Sequence, residues 1–144
     1  MSMLDLTGMI DEIENSQDPT VLGAGSEHKL RIVYVRGGFA RDKSFEGDGE
    51  CEYISPVYEV PNEPMAKEFS SFLWIPDKTK LSPKSYERAK NDFRKFIKAF
   101  KIDISKPLDY EDDLPGHEGW AILGTKNSDE YGEQNTIKSF QIGQ

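Results

Sequence analysis

Five side chains within ten residues raise the question of chemistry: Arg36, Phe39, Arg41, Lys43 and Phe45, in the stretch RGGFARDKSF. Cations draw anionic groups and flat rings offer faces for stacking. Exposed phenylalanines waste apolar surface unless a ligand or the fold covers them. Four glycines between 36 and 49 predict a mobile loop. The set suits a ligand both anionic and flat; the plainer alternative is that both rings fold back onto the body of the protein. Catalytic chemistry is poorly served elsewhere. Cys51 lies between Glu50 and Glu52, whose charge disfavours a thiolate. His28 begins a strand and His117 sits in a Pro-Gly turn, neither with a nucleophile near it in sequence. Asp112 and Asp113 read more readily as solvated loop charge than as metal ligands. There is no Walker loop and no Gly-x-Gly-x-x-Gly. No enzymatic activity, cofactor or metal is expected.

The elements that must position these residues are mostly strands, with one long helix. Tyr86, Ala89, Phe93, Phe96, Ile97 and Phe100 recur at three- and four-residue steps and predict a helix over 82–101, capped by Ser82 with Pro83 at its first position. Such an aromatic-faced helix among strands is expected to close the open end of a small curled sheet. Residues 28–35 alternate as a strand, with Leu30, Ile32 and Tyr34 on one face and Lys29, Arg31, Val33 and Val35 on the other. A second strand spans 50–60, where Ser55-Pro56 predicts a bulge or an edge. A third spans 66–75, with Phe69, Leu73 and Ile75 on one face and Phe72 and Trp74 on the other, one face serving as core and the other as a platform. After the helix come an acidic connector, a fourth strand at 120–124, a polar hairpin loop at 127–134 and a fifth strand at 135–142, on which Ile137 opposes Thr136, Lys138 and Phe140. Leu6, Met9, Ile10 and Ile13 predict a short amphipathic helix over 6–14, capped by Asp5 or Thr7. The alternative there is a docked or frayed terminal turn.

The order β-β-β-α-β-β fits a mainly β fold, a five-stranded Greek-key barrel of OB-fold type with its helix between strands three and four. At 144 residues the chain reads as an acidic segment over 1–26 and one OB-fold domain over 27–144. Apolar runs fall far short of the ~20 residues of a membrane span. Residues 5–18 hold five acids and no base, unlike a secretory signal, and the one cysteine forms no internal disulfide, so a cytoplasmic location is expected. The net charge of −8 argues against simple avidity for nucleic acid, but it is unevenly spread. Residues 78–106 carry ten bases and three acids, or +7; the rest carries eight bases and twenty-three acids, or −15.

The stretches EHKLRIVYV, SPVYEVPNEPMAKEFSSFLWIP, NDFRKFIKAFKID and GHEGWAILGTKNSDEYGEQNTIKSF, covering most of 27–140, resemble phage-encoded single-stranded DNA-binding proteins of the OB-fold type. That resemblance implies a protein that coats and protects unwound DNA in phage replication and recombination. It would work in the host cytoplasm, with single-stranded DNA and phage replication or recombination proteins as partners. These proteins often end in an acidic tail that recruits partners; this sequence ends SFQIGQ.

Binding without sequence choice needs cations along the backbone and rings under the bases. An OB-fold groove crosses strands two and three between the loops that join strands one–two and four–five. Mapped here, the first loop supplies Arg36, Phe39, Arg41, Lys43 and Phe45. The strand faces supply Arg31, Tyr53 or Tyr58, Phe72 and Trp74, and the second loop Lys126 and Tyr131. The outer face of the helix, with Lys84, Arg88, Lys95 and Lys98, is a rival footprint or a solvated face. The functional alternative is an acidic protein-interaction or DNA-mimic module that occupies the DNA site of a replication or host protein.

Overall fold

The computed structural model describes residues 2–142. Six antiparallel strands form one open sheet: β1 (Glu27–Ala40), β2 (Cys51–Glu59), β3 (Phe69–Ser70), β4 (Leu73–Trp74), β5 (Glu118–Ser128) and β6 (Gly132–Gln141). The order across it is β3-β2-β1-β5-β6, with β4 pairing β2 beside β3. The expected alternation of strands and helix holds. The third strand, however, is two short pieces separated at Ser71–Phe72, and among the described residues no backbone ladder joins β3 or β4 to β6. The first strand runs to Ala40, beyond its expected end at 35, and the last hairpin is tighter than expected: only 129–131 lie between its strands, with Gly132 at φ 70°.

The helix α2 (Pro83–Phe100) forms as its sequence predicts. Ser82 accepts a hydrogen bond from the Ser85 amide at 3.1 Å, and Pro83 takes the first position. Lys101, left-handed at φ 55°, ends it, with the Ile102 amide returning to the Ile97 carbonyl. Ala89, Phe96, Ala99 and Phe100 are buried. Phe100 stacks on Tyr58 of β2 at 5.7 Å and meets Phe140 of β6 edge-on at 5.8 Å, so the helix packs across from β2 to β6. Gly119 of β5 admits the helix closely: a Cβ there would stand 2.5 Å from the Ala99 carbonyl oxygen. The His117 Nδ1–H donates to the Phe100 carbonyl at 2.9 Å, satisfying an orphan acceptor of the last turn.

Two bulges decide which side chains face the core. On β1, Ile32 pairs Tyr58 and Tyr34 pairs Val57, so Val33 is an extra residue. The alternation flips there: Val35 turns inward and is buried, and Tyr34 turns outward, the reverse of the sequence-based expectation. On β6, Ile122 pairs Ser139 and Leu123 pairs Ile137, leaving Lys138 extra. Both Ile137 and Phe140 therefore pack on the core, although simple alternation opposed them.

Pro56 is neither at an edge nor in a bulge of its own strand; it lies buried in β2, paired with Val35. The Ser71 amide donates to the Pro56 carbonyl at 3.1 Å. A proline has no N–H to return the bond. The Ser55 hydroxyl returns it instead, donating to the Ser71 carbonyl at 2.8 Å. The dipeptide thus completes the pairing at the break between β3 and β4.

Before the sheet, a 3-10 turn (Thr7–Met9) leads into α1 (Ile10–Glu14). The Asp5 carboxylate accepts from the Thr7 amide and hydroxyl. Thr20 then joins Ala66 in a parallel bridge, and Asn135 Nδ2 donates to the Leu22 carbonyl at 2.9 Å, seating that stretch against the sheet. A one-turn helix, α3 (Tyr110–Asp113), lies in the acidic connector, capped by Asp109. Among the described residues no helix is long and apolar enough to cross a membrane.

Candidate nucleic-acid interface

The outward face of β1, β2 and β4 carries a ring cluster and, beside it on the same face, one cation over a further ring. Gly38 pairs Tyr53, and Tyr53 pairs Trp74, so the three share a face. Tyr53 stacks on Phe72 at 4.6 Å, and Trp74 stands edge-on to Phe72 at 4.8 Å and to Tyr53 at 6.3 Å. The guanidinium of Arg36, two residues along the same face, lies 5.9 Å from the Tyr34 ring centre. Phe72 is 49% exposed and Tyr34 45% exposed. Each therefore keeps ring surface free for a flat ligand.

Glycine makes this patch possible by close approach rather than by mobility. A Cβ on Gly38 would stand 2.7 Å from the Tyr53 hydroxyl, so the tyrosine lies flat along the strand only because residue 38 has no side chain. On the opposite face a Cβ on Gly37 would meet the Tyr110 side chain. The mobile loop expected over 36–49 is therefore strand as far as Ala40, and the true loop begins at Arg41.

That loop is tied to the helix through Asp42. The buried carboxylate accepts from the Ser82 amide at 2.9 Å and from the Ser44 amide and hydroxyl at 3.1 and 2.8 Å. Desolvation pushes its pKa up, but these hydrogen bonds outweigh it and hold the carboxyl at about 2. The Ser44 hydroxyl also lies 3.0 Å from that of Ser82. Around this anchor Arg41 and Lys43 stay exposed, Arg41 donating to the Gly47 carbonyl at 3.2 Å.

Of the residues singled out from sequence, the structure brings together Arg36, Tyr53, Phe72 and Trp74. Tyr58 is not available: it is fully buried against Phe69 and Phe100, and its hydroxyl lies 2.7 Å from that of Ser71. Burial, the larger influence, drives its pKa well above the ordinary tyrosine value, against the opposing Ser71 hydrogen bond. Arg31 is engaged by Glu59 at 2.6 Å and Glu118 at 3.7 Å. Phe39 is 65% exposed but pairs Glu52 and faces away from the ring cluster, and Phe45 is half-buried against the space above Gly47. Lys126 and Tyr131 stand on the β5–β6 hairpin, where Lys67 Nζ donates to the Tyr131 carbonyl at 2.9 Å. The hairpin lies past the Glu27 end of β1, whereas the 41–50 loop lies past the Ala40 end.

Tyr34 was missed, because nothing in the run Leu30–Val35 marks Val33 as the bulge that turns it outward. Trp120 was also missed as a surface ring; it is exposed on β5 opposite Lys29, away from the cluster. Cys51 is buried, its thiol donating weakly to the Glu52 and Ile75 carbonyls. Burial, then the charges of Asp77, Asp42 and Glu52, pushes the thiol pKa up. Among the described residues no group of three or more potential metal ligands converges.

No family model, curated protein or solved structure matches this chain.

Proposed function

We propose that the protein binds single-stranded DNA without sequence preference and coats it during replication and recombination, as the phage-type resemblance implies. The observation that carries this reading is the contiguous outward patch of Tyr34, Arg36, Tyr53, Phe72 and Trp74. Aromatic rings accept any base, because every base has a flat face, and each stacked base contributes about 1–3 kcal/mol. The sheet is read as an OB-type barrel with its groove across β2, β3 and β4. The 41–50 loop flanks one end of that groove and the β5–β6 hairpin the other. Arg36, Arg41 and Lys43 supply the phosphate contacts nearest the rings. Three contacts to a single strand give a slope of log Kobs against log salt of about −2. Acidic residues elsewhere on the chain confine a polyanion to this stretch by repulsion.

The test is a fluorescence titration with oligo-dT. The exposed Trp120 would obscure the signal, so the protein carries Trp120→Phe and Trp74 becomes the reporter. Binding quenches Trp74, and the affinity falls with salt along that slope. Absence of quenching at low salt refutes the reading and favours the acidic interaction module.

A further inference from the structure

Among the described residues two apolar surfaces are left without a partner, and they are complementary in charge. The first is α1 with the turn before it. Leu6, Met9, Ile10 and Ile13 are each 46–48% exposed along one stripe. Among the described residues the only element that α1 contacts is the 3-10 turn preceding it. The acids of this segment are Asp5, Asp11, Glu12, Glu14 and Asp18, and it holds no base. The second surface is a groove of about 400 Å³ on the outer side of α2. Its floor is Pro76, Phe93, Ile97 and Ile104, the last 60% exposed. Its rim is cationic: Lys90, Arg94 and Lys98. Lys90 is paired with Glu87 at 2.9 Å, while Arg94 and Lys98 have no carboxylate within ion-pair distance among the described residues.

We propose that the α1 stripe of one copy docks into the α2 groove of a second copy, a head-to-tail contact with its acids against the Arg94–Lys98 rim. An amphipathic helix set in an apolar groove is a common recognition mode, and the opposite charges fix its orientation. A stripe and a groove at different places on the same surface make a heterologous contact, which propagates from copy to copy. The tether argues for a second copy over the chain's own groove. Thr20 is held beside Ala66, and Ala66 to Pro76 is ten residues of largely extended chain, about 30 Å. The seven steps from Ile13 to Thr20 reach about 24 Å when fully stretched. A helix this short is marginal alone, so docking and ordering are coupled and the contact is weak, strengthening with protein concentration.

Sedimentation of the full chain without DNA tests this independently of nucleic-acid binding. The mass-average of the wild type rises with concentration and falls with salt. The stripe variant Ile10→Ser/Ile13→Ser and the groove variant Arg94→Glu/Lys98→Glu each weaken self-association by about tenfold or more. All four residues lie at or near the surface, and circular dichroism checks that both variants are folded. Mixed in equal amounts, the two variants recover a dimer, because one supplies an intact stripe and the other an intact groove. A wild type monomeric at every concentration overturns the proposal, as does association that survives both variants. A folded mixture that fails to dimerise overturns it too.

Discussion

Replacing Phe72 by alanine separates the ring patch from every other candidate surface. The ring is 49% exposed, stacked on Tyr53 at 4.6 Å and edge-on to Trp74 at 4.8 Å. Its buried half, together with the lost aromatic pair, places the stability cost of Phe72→Ala at about 2 kcal/mol. A domain with ordinary stability of about 5–15 kcal/mol stays folded at 25 °C after such a loss. The cost in DNA affinity is separate: one stacking surface is worth about 1–3 kcal/mol, or about 5- to 150-fold in Kd. The assay is fluorescence anisotropy of a labelled oligo-dT at fixed low salt, with far-UV circular dichroism on the same sample. Phe39→Ala is the comparison, since that ring is more exposed yet faces away from the cluster. Phe72→Ala weakens binding by at least about fivefold, and Phe39→Ala leaves it within about twofold. Equal losses in the two variants refute the face assignment; wild-type affinity in a folded Phe72→Ala refutes stacking on this patch.

Arg36→Ala lowers affinity and flattens the salt dependence by about 0.7 in slope, whereas Lys84→Ala, on the outer face of α2, leaves the slope unchanged. Asp42→Asn replaces one of two accepting oxygens, Oδ1 bonded by Ser44 and Oδ2 by the Ser82 amide, with an NH2 group that cannot accept, and costs about 1–3 kcal/mol near neutral pH in urea unfolding. The folded carboxyl titrates at about 2, below its unfolded value. The stability it contributes is therefore complete above the ordinary carboxylate range, and the gap between wild type and variant closes as pH falls from about 4 towards 2. Ser55→Ala leaves the Ser71 carbonyl without the donor that stands in for the proline N–H; it costs about 1–2 kcal/mol and speeds amide exchange at the β3–β4 break.

How far the molecule can be read from its residues depends on whether a feature is local. The helix α2 is local: Ser82, Pro83 and a three-to-four spacing of rings specify its start and its buried face within one segment. That Phe72 and Trp74 share one face, with Phe69 and Leu73 on the other, was legible from the alternation of that stretch. The bulges at Val33 and Lys138 were not legible. Each depends on the register between two strands, and a single extra residue reverses the alternation beyond it. That reversal hid Tyr34 and wrongly opposed Ile137 to Phe140. Pro56 misled for a related reason: the donor that replaces its missing N–H is the neighbouring Ser55 hydroxyl, which sequence marks only as an ordinary serine. Gly37 and Gly38 suggested mobility, yet they sit beneath Tyr110 and Tyr53, tyrosines far from them in sequence. The long-range ion pairs of Arg31 with Glu59 and Glu118 are likewise set by strand pairing.

Bases that stack on one outward patch crosslink to that patch, which photo-crosslinking detects without any substitution. Oligo-dT carrying 5-iodouracil is irradiated with the wild-type protein and the attached peptides are mapped by mass spectrometry. Adducts form on Tyr34, Tyr53, Phe72 or Trp74 and are competed away by unlabelled oligo-dT. Adducts confined to α2 or to Trp120, or no competable adduct at low salt, would contradict stacking on that patch.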